Sequence, residues 1–289
     1  MEKIKKKDFP KILQPLWEIP EPPEFLYVEG EWPAPDNVLL TVVGSRRLST
    51  YGREVCEELI AGLAGYPITI VSGLALGIDT IAHRSALKAG LPTIAFPGSG
   101  LDPKVLYPAS NQNLAREIIS AGGLLVSEAE PDFRATPYSF PRRNRLMAGL
   151  AKSTLIIEAN KKSGTLITAR LALDYNRDVL AVPGSIHWPN SYGPNWLIKQ
   201  GATPICSSSD LLEALGLETK RAGEMASLFS ELDNSPAENK ILALVKNGLT
   251  NRDEIVEQSH LPASEANTAL MLLVIKNLIR ENGGEINLN

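Results

Sequence analysis

The sequence predicts an α/β protein: a Rossmann-like, doubly wound, mainly parallel sheet with a small C-terminal winged-helix domain. Six short apolar, β-branched runs alternate with helical patterns between residues 37 and 184, as in a parallel sheet covered by helices on both faces. Each run breaks into Gly, Ser, Pro or a charged residue, placing turns at the carboxyl ends of strands, where such sheets bind ligands. Beyond residue 236 three short helical patterns end in "GGEINLN", a turn and a strand, and this is the layout of a winged helix.

The elements follow in order. Residues 9–35 carry seven prolines, so 1–35 is expected to be an extended N-terminal segment leading to the first strand. "NVLLTVVG" (37–44) precedes "TYGREVCEELIAGLAG", whose Val55, Leu59, Ile60 and Leu63 share one helical face. "ITIVSG" (68–73) leads into "IDTIAHRSALKAG", and "PTIAFPGSG" (92–100) into "SNQNLAREIISAGG". "LLVSEAEP" (124–131) comes before "SFPRRNRLMAGLAK"; "STLIIEAN" (153–160) pairs with "SGTLITARLALDYN", and "RDVLAVPG" (177–184) is the sixth run. The domain is therefore drawn at 36–215. Residues 216–235, acidic and weakly periodic, read as a linker, and 236–289 as the winged helix.

Composition narrows the function. The 289 residues carry a net charge of −4, which does not fit a generic nucleic-acid binder. The charge is unevenly spread: residues 36–209 hold 17 Lys and Arg against 13 Asp and Glu, a surplus of +4. The only cysteines, Cys56 and Cys206, form no CxxC pattern, which fits a reducing cytoplasm and excludes a cysteine zinc site or a disulfide scaffold. No apolar run approaches a membrane span.

Enzymatic signatures are sparse. His83, His187 and His260 are too widely spaced for a local metal motif, and neither a GxSxG elbow nor a GxxxxGK[ST] loop occurs. His83 suits packing and Asp79 a favourable contact with a helix dipole. Four turns stand out: "VGSRR" (43–47), "SGLALGID" (72–79), "PGSGLD" (97–102) and "KKSGTLITAR" (161–170). Gly and Ser or Thr let backbone N–H groups approach an anion, and Arg46, Arg47, Lys161 and Lys162 stand beside them, so a phosphate-bearing ligand is expected. No acid follows the first Gly at the distance an NAD ribose clamp requires. "SFPRRNRLMAGL" adds three cations at a helix start, which the helix dipole disfavours unless an anion arrives.

These stretches, with "IVSGLALGIDTIAHRSAL", "FPGSGLDPKVLYPASNQNL", "FPRRNRLMAGLAKSTLIIEA" and "VLAVPGSIHWPNSYGPNWLIKQGA", together resemble the DNA-processing protein A (DprA/Smf) family from residue 9 to about 215, with a family-like winged helix behind. The resemblance implies a cytoplasmic, non-catalytic bacterial protein, without cofactor or metal. Such a protein binds single-stranded DNA taken up in natural transformation, protects it, loads RecA onto it past single-strand-binding protein, and works as a homodimer. Carried over, it places Arg46 in a basic pocket for the DNA backbone, lined also by Ser72, Gly73, Gly98, Ser99 and Gly100. The FPxRNR motif contributes Phe140 as a base platform, with Arg143, Asn144 and Arg145; Arg142 falls at its variable position, and Asn144 orients the turn. Lys161, Ser163, Gly164 and Thr165 close the far wall. Two departures are expected to matter. No helical domain precedes residue 9, and the helix "SEANTALMLLVIKNLI" carries Lys276 alone as a cation, which suits protein contacts or packing better than a DNA groove. The alternative is a Rossmann-like enzyme that cleaves phosphoribosyl groups from nucleotides; the cations Lys161 and Lys162 stand beside the turn where such enzymes need an acid.

Overall fold

The computed structural model describes residues 1–217, 234–276, 278–282 and 285–288. They belong to two compact units, Met1–Leu217 and Glu218–Asn289; the core of the expected linker, 218–233, lies outside the described residues.

In the first unit the strands are β1 (Glu2–Lys5), β2 (Phe25–Gly30), β3 (Val38–Val43), β4 (Ile68–Ser72), β5 (Thr93–Ala95), β6 (Leu124–Ser127), β7 (Ser153–Ile156), β8 (Asp178–Ala181) and β9 (Thr203–Pro204). Between and after them run α1 (Thr50–Ala61), α2 (Ile78–Lys88), α3 (Gln112–Ser120), α4 (Ser139–Leu150), α5 (Thr165–Asp174), α6 (Tyr192–Lys199) and α7 (Ser208–Ala214). The sheet order is β1-β2-β6-β5-β4-β3-β7-β8-β9. From β6 to β9 all neighbours are parallel, whereas β2 runs antiparallel to β1 and β6. The chain moves outward from β3 to β6, then α4 carries it back across the sheet to place β7 on the other side of β3. The border between β3 and β7 is thus the topological switch point, where a ligand crevice opens.

Alternation along β3 builds both cores. Leu40 and Val42 pack with Leu59, Ile60, Ile70 and Ile81 on the face of α1 and α2. Leu39 and Val43 pack with Leu146, Met147 and Ala169 on the face of α4 and α5. Thr41, on the α4 face, donates its hydroxyl to the Met147 carbonyl at 2.8 Å, so its buried oxygen is satisfied.

The N-terminal segment corrects the expectation of an extended lead. It forms β1, β2 and two 3-10 stretches, Lys6–Asp8 and Lys11–Trp17. Proline excludes an α-helical interior but is compatible with short turns, and the apolar residues decide the rest. Ile12, Leu13, Leu16 and Ile19 are buried in the α4 face of the core, each such side chain stabilising the fold by about 1.5–3 kcal/mol.

The second unit has the winged-helix elements expected: α8 (Pro236–Lys246), α9 (Arg252–Gln258), α10 (Ala263–Ile275) and an antiparallel hairpin, β10 (Ile279–Asn282) with β11 (Glu285–Leu288). Ser235 and Glu238 form a capping box on α8, and Ile241, Ile255, Leu270, Leu273 and Ile286 form the core. Lys276 is bound by Glu238 at 2.9 Å, while Met271, Leu272 and Val274 on α10 are exposed. Among the described residues, no helix is long and apolar enough to cross a membrane.

Candidate nucleic-acid-binding groove

At the β3–β7 border a groove of about 530 Å³ opens. Its near side is the turn after β3. The Ser45 hydroxyl donates to the Arg47 carbonyl at 2.8 Å and accepts from the Arg47 N–H at 3.1 Å, closing a local turn that leaves the Arg46 and Arg47 side chains exposed. Asn190 holds the same turn through the Arg47 carbonyl at 3.0 Å and reaches Glu158 at 3.3 Å. Glu158, buried, accepts in addition from the Ser49 N–H at 2.9 Å. The far side is the amino terminus of α5, where Ser163, Gly164 and Thr165 line the groove. Gly164 is the N-cap, with no side-chain cap bond. Two exposed arginines and a positive helix end therefore face one concavity.

The floor is α4. Pro141, its third residue, sits in the first turn, where a missing N–H costs no intrahelical bond. Phe140 packs over Gly98, where a Cβ would come within 2.6 Å of the ring; it tilts against Tyr107 at 5.7 Å and carries the Arg46 guanidinium 4.7 Å above its centroid. Ring and guanidinium thus form one composite surface.

The three arginines of α4 separate. Arg143 lines the groove but is buried. Its Nη1 donates to the Gly73 and Phe96 carbonyls, and its Nε donates to Asn144 Oδ1 at 3.0 Å. Burial pulls its pKa down to about 10, opposed by the adjacent Asp79 carboxylate. Burial raises the pKa of Asp79, with Arg143 opposing; its Oδ2 accepts from the Gly73 N–H at 3.1 Å. Arg145 is also buried and gives Nη2 to both Glu128 oxygens, at 2.6 and 2.8 Å; it does not line the groove. Arg142, by contrast, is the exposed one, reaching Glu128 through Nε at 3.1 Å.

Three further expected wall residues are not brought into the groove. Ser72 is buried and donates its hydroxyl to the Val42 carbonyl at 2.7 Å, tying β4 to β3. Ser99 is buried and accepts from the Tyr107 N–H. The Gly100 N–H donates to the Phe133 carbonyl at 2.9 Å. These particular groups are engaged by neighbouring backbone and are not offered to an anion. Gly73 and Gly98 line a small cleft with Arg46 and Phe140. Lys161 is exposed with its Nζ 5.7 Å from the Tyr192 ring, beside the groove instead of lining it. Sequence reasoning passed over Tyr138, 87% exposed at the N-cap of α4, and the exposed Trp188 and Tyr192; the signal available was aromatics next to cations in "YSFPRR" and a pair of aromatics in "IHWPNSY". Among the described residues no group of three or more His, Cys, Asp or Glu could hold a metal ion.

Comparison with known proteins agrees with this architecture. The family described as DNA recombination-mediator protein A matches residues 1–216, and the DprA winged helix domain matches 227–285. Protein Smf of Escherichia coli is 40% identical over 255 residues, covering 87% of this chain and 68% of that protein. DNA processing protein DprA of Streptococcus pneumoniae is 42% identical over 197 residues, 68% of each chain. The X-ray structure of DprA from Streptococcus pneumoniae superposes with a TM-score of 0.68 at 39% identity over 73% of each chain. The Helicobacter pylori protein, whose structure describes its single-stranded DNA binding mode, superposes with a TM-score of 0.65 at 32% identity, over 74% of this chain and 96% of that one. The sheet order, the winged helix and these matches place the chain in the DNA recombination-mediator protein A (DprA/Smf) family.

Proposed function

We propose that this chain binds single-stranded DNA in the groove at the β3–β7 border, protects the strand, and loads RecA onto it past single-strand-binding protein during natural transformation. The observation that carries the binding site is the exposed pair Arg46 and Arg47 facing the α5 amino terminus across a concavity of about 530 Å³. Phosphates lie between these positive groups, and bases stack on the Arg46–Phe140 pair. Arg143 and Arg145 serve as positioning residues: one fixes the turns after β4 and β5, the other anchors α4 to Glu128. The chain acts as a homodimer, and the exposed Leu173 and Trp196 are apolar surface of the kind a partner subunit covers.

The test is equilibrium binding of an oligothymidine strand and of a duplex over a salt series. Arg46→Ala is expected to weaken single-strand binding about tenfold and to reduce the salt slope by about 0.7. Equal binding by wild type and variant at low salt overturns the site. RecA loading is measured as filament growth on strands coated with single-strand-binding protein; no acceleration by the wild-type chain removes that part. The phosphoribohydrolase alternative needs a carboxylate free to act in the groove. The lining carboxylate is Asp79, buried and engaged with Gly73 and Arg143, so nucleoside monophosphates are expected to be returned uncleaved.

A further inference from the structure

A second cavity, of about 370 Å³, lies across the first turns of α4 from the groove, and Arg143 lines both. Its size fits one nucleotide, at the low end of small-ligand pockets. Its walls include Phe25 from β2, and Phe133 and Tyr138 from the loop entering α4. Phe133 and Tyr138 are large aromatics left exposed, and such faces stack on bases of any sequence.

The polar groups of the cavity are unequal. Glu128 is neutralised by Arg145 and Arg142. Arg142 meets it through Nε alone, and among the described residues no hydrogen bond engages its Nη groups, which remain a fork for phosphate. Glu130 accepts from the Tyr27 hydroxyl through Oε2 and its Oε1 forms an ion pair with the Lys3 ammonium at 3.6 Å; among the described residues no hydrogen bond of ordinary length engages Oε1. One wall of an aromatic cavity therefore presents a carboxylate oxygen with acceptor capacity left.

We propose that this cavity is a nucleotide subsite for the bound strand, and that it favours a base with an exocyclic amino group, cytosine above thymine. Cytosine N4–H donates to Glu130 Oε1, the ring packs among Phe25, Phe133 and Tyr138, and the flanking phosphate meets Arg142. Thymine turns a carbonyl oxygen toward the carboxylate and is disfavoured. This inference rests on the strand lying in the Arg46 groove.

The experiment compares binding of equal-length oligo-dC and oligo-dT by the full chain, with free dCMP as competitor. Wild type is expected to bind oligo-dC about fivefold tighter. Glu130→Ala, on an exposed side chain, should abolish that ratio by weakening oligo-dC and sparing oligo-dT. Phe133→Ala should weaken both about tenfold. An oligo-dC to oligo-dT ratio that Glu130→Ala leaves unchanged overturns the subsite while the groove stands. Failure of wild type to bind either oligomer removes the groove reading itself. Free dCMP binding as tightly as oligo-dC also overturns the proposal, because the cavity would then serve free nucleotides.

Discussion

The turns after β3 and β5 read alike, VGSRR and PGSGL, each a Gly-Ser pair at a parallel strand end. In the fold they have opposite fates. The first folds back on itself through Ser45, is held at its carbonyls by Asn190 and the Ile78 N–H, and leaves two arginines in solvent. The second is fastened to the loop after β6: Gly100 donates to Phe133, Ser127 donates its hydroxyl to the Ser99 carbonyl at 2.8 Å, and the Gly98 carbonyl accepts from Ser139 at 2.6 Å. Glycine content does not make a phosphate site. Both turns are held by neighbouring segments; the difference lies in the side chains they leave to solvent, two arginines after β3 and none after β5.

The largest expected effect tests the buried side of this contrast. Arg143→Ala strands Asp79 and two carbonyls in the core and is expected to destabilise the fold by about 3–5 kcal/mol in urea denaturation; a midpoint that does not move would return Arg143 to the solvent side. Gly100→Ala comes next. Its Cβ meets the Glu130 and Pro131 carbonyl oxygens, so a loss of about 1–3 kcal/mol is expected, and unchanged stability would mean the second turn is not fastened.

His83 supplies a pH test of the same core. It is held at Nδ1 by Thr93 at 2.7 Å, its Nε2 has no partner among the described residues, and burial, with Arg143 adding, lowers its pKa to about 3. The unfolded chain takes up the proton near pH 6.5, so this contribution to stability is present above 6.5 and lost as pH falls toward 3, by about 2 kcal/mol at pH 5. Asp79, raised, has the reverse dependence. The difference in stability between wild type and His83→Asn, followed from pH 7 to 5, isolates the His83 part; a flat difference would place the imidazole in water. The smallest effects belong to the first turn and its opposite wall. Arg46→Ala and Gly164→Ala, the latter with open space at its Cβ, should each shift stability by less than about 0.5 kcal/mol, and a larger shift in either would blur the contrast.

Six of the seven parallel strands and the helices between them were legible because continuous buried runs such as ITIVS need only local pattern. The depth of Arg143 and Arg145 was not. Their partners stand 70 and 17 residues away, so the motif that marks them as a cluster says nothing about which faces inward. β2 was hidden for a similar reason: its pairing with β6 is long-range, Tyr27 with Ser127, and the prolines before it obscure any period. The exposed Tyr138 follows from where α4 starts, two residues before Pro141.

The Arg46 guanidinium on the Phe140 ring has one more consequence. An arginine free in solvent gives up about 2 kcal/mol of rotamer freedom when it captures a phosphate. This one surrenders part of that freedom when the protein folds, against a ring itself wedged on Gly98. On the proposed reading of the groove the side chain is preorganised, and the expected gain is a slower release of the strand, measured as a faster off-rate in Arg46→Ala.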